Sequence, residues 1–384
     1  MRGCIIKRGD SYRIKVSLGK DPKTGKYISH YETVGSSKKA AEKRLNELIH
    51  QYETGSYVKP SKGTLAEFLE RWLRDYAYIN VSQRTAEEYE AIIQRHLIPA
   101  FGGVLLVQLQ PNMIQSYITE KLENGRIDGS GGLSNMSVKH HIVCLHTALQ
   151  YAVKMGLIVR NPVDAVIIPK TKRPEMKFMN ESDVKRFLEL AKNTPYYILF
   201  YLAIFTGMRR SELLALRWQD IDFGKGQVYI TRSLHHLKNT GALIFKEPKS
   251  EKSRRAVALS PSTVELLKEH KITQNNFRLS LGYLAFNEND LIFCHYDGKP
   301  LLPNTITHNW IKLTKKAGLE GIRLHDARHT HASLMLKQGV HPKIVQERLG
   351  HSSIQVTLDT YSHVTPGLQE SAARAFDNLV LTGV

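Results

Sequence analysis

At 384 residues, with 42% hydrophobic and 23% charged residues, the chain has the composition of ordinary globular protein and length for two or three domains, which excludes a disordered segment. A formal net charge of +18 points to a polyanionic partner, because neutralising phosphates releases condensed counterions. Cys4, Cys144 and Cys294 are too few and too scattered for a disulfide framework or a cysteine zinc site, and no apolar run approaches the ~18 residues of a membrane span. No signal-peptide pattern opens the chain, so a cytoplasmic, reduced protein without a membrane partner is expected. The charge is uneven, with net +7 over residues 1–60, +1 over 61–170 and +10 over 171–384.

The first segment reads as a small sheet followed by one helix. Cys4–Lys7 and Tyr12–Val16 alternate polar and apolar residues, Asp21-Pro22-Lys23-Thr24-Gly25 is turn chemistry, and Tyr27–Val34 supplies a third strand. Ser36 or Ser37 then caps a helix whose Ala41, Leu45, Leu48, Ile49 and Tyr52 share a face. Arg13, Lys15, Lys23 and Lys26 would let this sheet enter a DNA major groove, or simply make it a solvated basic surface.

Gly55 to Gly63 has linker composition. Helical periodicity begins at Thr64, with Leu65, Phe68, Leu69, Trp72 and Leu73 on one face. Further helices are expected over Thr85–His96, Pro111–Leu122 and Ser134–Val153, with a flexible loop over Gly125–Gly132. These make a bundle of about four helices ending near Asn161-Pro162-Val163. Residues 165–179, with Pro169, Pro174 and several bases, form a second linker. Beyond it the pattern is mostly helical, interrupted by strands at Gln227–Thr231 and Arg255–Leu259. The expected fold is multidomain and mainly α with small β elements: an N-terminal three-stranded sheet plus helix over 1–55, a helical bundle over 64–163, and a mixed α+β, mostly helical domain over 175–384.

Six residues in that last domain suit phosphodiester chemistry: Arg209, Lys249, His325, Arg328, His351 and Tyr361. Transfer at phosphorus needs a nucleophile, stabilisation of charge on the pentacoordinate phosphorus, and a proton for the leaving oxygen. Arg209 and Arg328 can each clamp two phosphate oxygens through a planar fork. Tyr361 is a weak nucleophile, since a phenol has a pKa of ~10, until cations or a base assist it. His351 or His325 could take its proton, and Lys249 could protonate the departing 5′ oxygen. Singly, these residues have plainer readings. Arg209 could pair with Glu212 at i+3, and Tyr361 could be packing.

The strings that carry them resemble the tyrosine recombinase (phage integrase) family. They are Thr206-Gly207-Met208-Arg209 with Glu212 behind it, Pro248-Lys249-Ser250 ahead of Ser253-Arg254-Arg255, His325-Asp326-Ala327-Arg328-His329-Thr330, Leu349-Gly350-His351-Ser352-Ser353, and Thr357-Leu358-Asp359-Thr360-Tyr361. Lys252 competes with Lys249 for the β-hairpin position. Glu212 reads as a buttress for Arg209.

The resemblance covers essentially the whole chain. It implies an arm-type DNA-binding domain at 1–55, a core-binding domain at 64–163 and a catalytic domain at 175–384, in the manner of integrases of prophages and conjugative elements. It also implies attack by Tyr361 to leave a 3′-phosphotyrosyl bond and a free 5′-hydroxyl, without ATP, metal or other cofactor. Four protomers on double-stranded DNA, at core-type and arm-type attachment sites, would exchange strands through a Holliday junction. Accessory factors such as an excisionase or a host DNA-bending protein fit the resemblance but leave no signature in the sequence. An apolar stripe after Tyr361 (Leu368, Ala372, Ala375, Phe376, Leu379, Val380) would pack on its own domain or dock on a neighbouring protomer.

Three rivals compete. His325 and His329 at i, i+4, with Asp326 between and His331 following, could ligate zinc or manganese in a hydrolase or nuclease, but that leaves Arg209, Lys249 and Tyr361 without roles. A non-catalytic DNA-binding regulator does not need all six positions filled. Type IB topoisomerase chemistry is similar, but the separate N-terminal modules favour site-specific exchange.

Overall fold

In a computed structural model, the chain is described over residues 2–20, 25–54, 63–171, 176–247, 254–280 and 289–361, and at residues 373, 376, 377, 380 and 381. Lys249, Lys252, residues 55–62 of the first expected linker, residues 172–175 of the second, residues 21–24 and most of the stripe beyond Tyr361 lie outside the described residues. The chain divides into two compact units, Met1–Lys172 and Arg173–Val384.

The first unit opens with three antiparallel strands, β1 (Arg2–Arg8), β2 (Ser11–Lys20) and β3 (Tyr27–Val34), with β2 central. Ile5 stands opposite Ile14, and Lys15 opposite Tyr31. Alternation sends Ile14 and Val16 to the face covered by helix α1 (Lys38–Glu53), where they bury against Ala41, Leu45 and Leu48. Ser37 caps α1 by accepting from the Ala40 amide. Gly3 permits the close approach, since a Cβ there would lie 2.5 Å from Leu45 Cδ1. Arg13 and Lys15 lean over the Tyr31 ring, and Lys20 over Tyr27.

A second core in this unit belongs to a bundle of α2 (Leu65–Trp72), α3 (Gln83–Ile92), α4 (Pro111–Asn124) and α5 (Asn135–Lys154). Thr64 and Glu67 close a capping box at the start of α2. Helices α2 and α3 each run on into a π-helical turn, Leu73–Ala77 and Ile93–Leu97. The second continues to Phe101, further than the expected end at His96. Pro99 lies just after the π-helical turn, within this final segment. The glycine-rich stretch after α4 is also tighter than a flexible loop. Arg126 N bonds Gly131 O at 2.9 Å and Leu133 N bonds Lys121 O at 2.8 Å.

Among the described residues, the second unit contains α6 (Glu181–Ala191), α7 (Tyr197–Thr206) and the short α8 (Arg210–Leu213), then strands and further helices. Strands β4 (Ile221–Asp222), β5 (Gln227–Ile230) and β8 (Arg255–Ala258) form one antiparallel sheet in that order, while β6 (Ser233–His236) pairs with β7 (Leu243–Lys246). Strand β7 thus pairs with β6 and β8 with β5, and residues 248–253 between them, with Lys249 and Lys252, lie outside the described residues. Then come α9 (Pro261–Ser280), α10 (Pro303–Lys316), α11 (Leu324–Lys337), α12 (Pro342–Leu349) and α13 (Ile354–Tyr361). Phe187, Phe200 and Trp310 meet at the centre of the core, with the Phe187 and Trp310 rings 4.4 Å apart. A smaller cluster of Ala332, Leu336, Val345, Leu349 and Tyr361 packs α11 to α13 together.

Candidate active site

The first motif is a helix stop followed by a helix start. Helix α7 ends at Gly207, which adopts φ +64°, and a Cβ there would lie 2.6 Å from Leu349 Cδ2 and 2.9 Å from His331 Cδ2. Glycine is therefore required on both conformational and steric grounds. The turn delivers Arg209 to the residue just before α8. There Glu212 accepts from the Arg209 backbone N–H through Oε2 and from Nη1 through Oε1, both at 2.8 Å.

The same carboxylate holds a second arginine. Arg255, from β8, donates Nη2 to Glu212 Oε2 at 2.9 Å and Nη1 to Oε1 at 3.2 Å, and its Nε bonds Arg348 O at 2.8 Å. Burial pushes the Glu212 pKa upward, but the hydrogen bonds and charge of Arg255, then Arg209, outweigh it and hold the carboxyl below its usual range. The two arginines differ in access. The Arg209 side chain is 37% exposed and the Arg255 side chain 6%. Arg209 can meet a ligand, whereas Arg255 anchors its partner.

Arg328 comes from the middle of the first turns of α11 and is buried. It donates Nη1 to Gly207 O at 2.9 Å and Nη2 to Leu349 O at 2.7 Å. Leu349 precedes Gly350, a second left-handed residue (φ +68°) that ends α12. One guanidinium thus ties together the turns that present Arg209 and His351. Burial, then repulsion from Arg209, pushes the Arg328 pKa down to about 9, so it stays charged near neutral pH.

Gly350 releases His351, whose Nδ1 lies 2.9 Å from Thr357 Oγ1 and whose ring stacks at 12° to that of Tyr361. Burial, then Arg328, Arg209 and Arg255, pushes the His351 pKa down to about 3. Tyr361, the last residue of α13, is 1% exposed, and burial lifts its pKa to about 12 against the opposing pull of Arg328. Its hydroxyl lies 2.9 Å from His329 Nδ1. The exposed His325 stands edge-on to His329, ring centroids 5.0 Å apart.

The structure therefore gathers Arg209, His325, Arg328, His351 and Tyr361 into one electrostatic neighbourhood; Lys249 lies outside the described residues. Two further residues enter the site: His329, which the sequence offers only as a candidate metal ligand, and Arg255, which it offers only within a motif string. His329 contacts the phenol, and its signal was its place beside Arg328 and one turn after His325. Arg255 shares Glu212, and its signal was the Ser253-Arg254-Arg255 string. The histidine trio of the metal rival does not converge. His331 places Nδ1 against Ile204 O and accepts from Arg348 Nε at its other nitrogen, both at 2.9 Å. Among the described residues no three His, Cys, Asp or Glu side chains form a ligand set.

Comparison with known proteins matches residues 177–367 to the phage integrase family and residues 64–122 to the phage integrase N-terminal SAM-like domain. A tyrosine recombinase XerC-like protein of Caldanaerobacter subterraneus is 28% identical over 98% of both chains. The ICEBs1 integrase of Bacillus subtilis is also 28% identical, over 96% of this chain and 97% of its own. Among solved structures, the Tn1549 transposon integrase in complex with a circular intermediate DNA superposes with a TM-score of 0.65 at 18% identity, covering 83% of this chain and 100% of that one. A lambda integrase tetramer bound to a Holliday junction gives 0.56 at 21% identity, over 94% and 95%.

Proposed function

Because the chain belongs to the phage integrase (tyrosine recombinase) family, we propose that Arg209, Lys249, His325, Arg328, His351 and Tyr361 are the residues with which it cuts and rejoins DNA. It is a tyrosine-type site-specific recombinase, an enzyme of DNA integration and excision for a mobile element. The observation that carries the site assignment is the grouping of Arg209, His351 and Tyr361 around Arg328.

In cleavage, Tyr361 Oη bonds to the scissile phosphorus while the bond from phosphorus to the 5′ oxygen breaks. Arg209 and Arg328 oppose the charge that builds on the non-bridging oxygens, and His351 donates to one of them. Lys249 protonates the departing 5′ oxygen. The 5′-hydroxyl of a partner strand then attacks the 3′-phosphotyrosyl bond and reseals the backbone. Two arginines supply the charge stabilisation, and the phosphotyrosine conserves the energy of the broken bond, so neither a divalent metal nor ATP enters the scheme.

Three modules divide the DNA. Residues 1–55 take arm-type sites, using the face on which Arg13 and Lys15 flank Tyr31. Residues 64–163 take the core-type site, and residues 175–384 form the catalytic domain. Four protomers assemble on two duplexes, with an excisionase or a DNA-bending protein as accessory partners.

The test is covalent trapping on a nicked duplex carrying the junction sequence of the parent mobile element, in excess EDTA. Wild type should form an EDTA-resistant protein–DNA adduct, and Tyr361→Phe should bind the duplex without forming one. Cleavage without an adduct, restored only by added metal, would move the assignment to a histidine-metal hydrolase.

A further inference from the structure

We infer that His329 is the proton acceptor for Tyr361 in strand cleavage and the group that returns the proton when the strand is rejoined. The inference rests on the reading of Tyr361 as nucleophile.

The phenol needs a base in contact with it. Burial disfavours its anion, so proton loss to bulk solvent is a poor route, and transfer must accompany attack. Among the three histidines near it, His329 is the one whose ring nitrogen meets the hydroxyl, at 2.9 Å. His351 has committed Nδ1 to Thr357 Oγ1, which leaves Nε2 to meet a phosphate oxygen. His325 lies beyond His329 and faces solvent, with its ring edge-on at 5.0 Å.

His329 is also held for the task. It sits on α11 directly after Arg328, whose guanidinium is fixed by two backbone carbonyls, so the helix cannot drift from the phosphate clamp. The groups whose charge reaches its imidazole are His325, Asp326, Arg328 and Arg323. Burial and the net cationic surroundings keep it neutral, the form able to accept a proton, in the tautomer that bears hydrogen on Nε2. An arriving phosphodiester offsets those cations and raises the proton affinity of the imidazole just when the phenol must be activated.

The step balances. The Tyr361 O–H proton passes to His329 Nδ1, the Oη–phosphorus bond forms, the phosphorus–O5′ bond breaks, and O5′ takes a proton from Lys249. Rejoining reverses each transfer, with the imidazolium protonating Tyr361 as it leaves.

The experiment uses the full chain on the nicked duplex, with an oxygen or a sulfur atom at the bridging 5′ position. Sulfur leaves as a thiolate and needs no proton, so it repairs a defect in the acid but not in the base. His329→Asn keeps a polar acceptor near the phenol but cannot take up a proton. It should slow adduct formation by about 100-fold or more on both substrates. Lys249→Ala should be slow on the oxygen substrate alone. His329→Ala should regain activity with added imidazole.

Wild-type rates for His329→Asn, or recovery of that variant by sulfur, would overturn the assignment. Duplex binding and thermal melting identify variants that have lost their fold. Should the asparagine variant fail there, a folded, DNA-binding His329→Ala that ignores imidazole would overturn it equally. Failure of wild type itself to form an adduct would instead reject the Tyr361 reading.

Discussion

Arg328 donates a 2.7 Å hydrogen bond to the carbonyl of Leu349, and with its other terminal nitrogen it reaches Gly207. The residue proposed to clamp the scissile phosphate is thus also a crosslink between the two turns that carry the rest of the clamp. Catalysis and folding share one side chain. Arg209 differs, because its side chain is 37% exposed and Glu212 keeps Arg255 as a partner without it.

The contrast can be measured. Arg328→Lys has one ammonium where two carbonyls need a fork, so unfolding by denaturant should show a loss of about 2 kcal/mol, with cleavage abolished. Arg209→Ala should abolish cleavage but cost no more than about 1 kcal/mol, as expected for a part-exposed pair. Equal stability losses in the two variants would contradict the division of labour.

Glu212 gives a second prediction. It neutralises the buried Arg255 and the half-exposed Arg209 together. Glu212→Ala removes the buried carboxylate that both guanidiniums share, which should destabilise the second unit by about 3–5 kcal/mol. Glu212→Gln retains a hydrogen-bond acceptor and should fall between alanine and wild type. If denaturant unfolding finds alanine and glutamine alike and near wild type, the carboxylate is not the anchor.

These relationships explain what the sequence could and could not disclose. The β5 and β8 strands, the Ser37 cap and the helices carrying Leu65 and Val138 follow from local periodicity and capping chemistry, which neighbours in sequence determine. Arg209, Arg328 and Tyr361 stood out because their residue types suit one reaction. The Arg255–Glu212 and His329–Tyr361 contacts span 43 and 32 residues and depend on how α8, β8, α11 and α13 pack, so no local pattern announces them. The same limit applies to the segment after β7. Lys246 and Arg255 are close in sequence, yet β7 pairs with β6 and β8 with β5, a choice of partners that local pattern does not encode.

Gly207 carries a third prediction. Its left-handed φ and the 2.6 Å approach of Leu349 Cδ2 mean that Gly207→Ala must strain the backbone and push α12 away. Loss of about 1–3 kcal/mol is expected, with misplacement of Arg328, which bonds the Gly207 carbonyl. Gly339→Ala is the control. It shares a positive φ but has open space around the added methyl, so it should cost about 1 kcal/mol and leave cleavage intact. Matching adduct yields from the two variants would show that the turn does not govern the site.

Acid should unfold the second unit through its buried imidazoles. His331 places Nδ1 against Ile204 O, so that nitrogen carries the proton, and the other nitrogen accepts from Arg348 Nε. A second proton would turn that acceptor into a donor facing a guanidinium. Burial, then the charge of Arg348, accordingly pushes the His331 pKa down to about 3. In the unfolded chain the same group binds its proton near pH ~6.5. The folded pKa is depressed, so this contribution is fully present above the unfolded value and is lost as pH falls from about 6.5 toward about 3. Within that window the unfolded state holds one more proton, and stability should drop by about 1.4 kcal/mol per pH unit for this residue, with further loss from His351 and His329. Denaturant unfolding of His331→Asn, which cannot titrate, should show lower stability than wild type near neutrality and a shallower slope between about pH 6 and pH 4, smaller by one proton. Parallel slopes for variant and wild type would mean that His331 takes up its proton in the folded state at an ordinary pH, and that the Arg348–His331 contact does not hold the imidazole neutral.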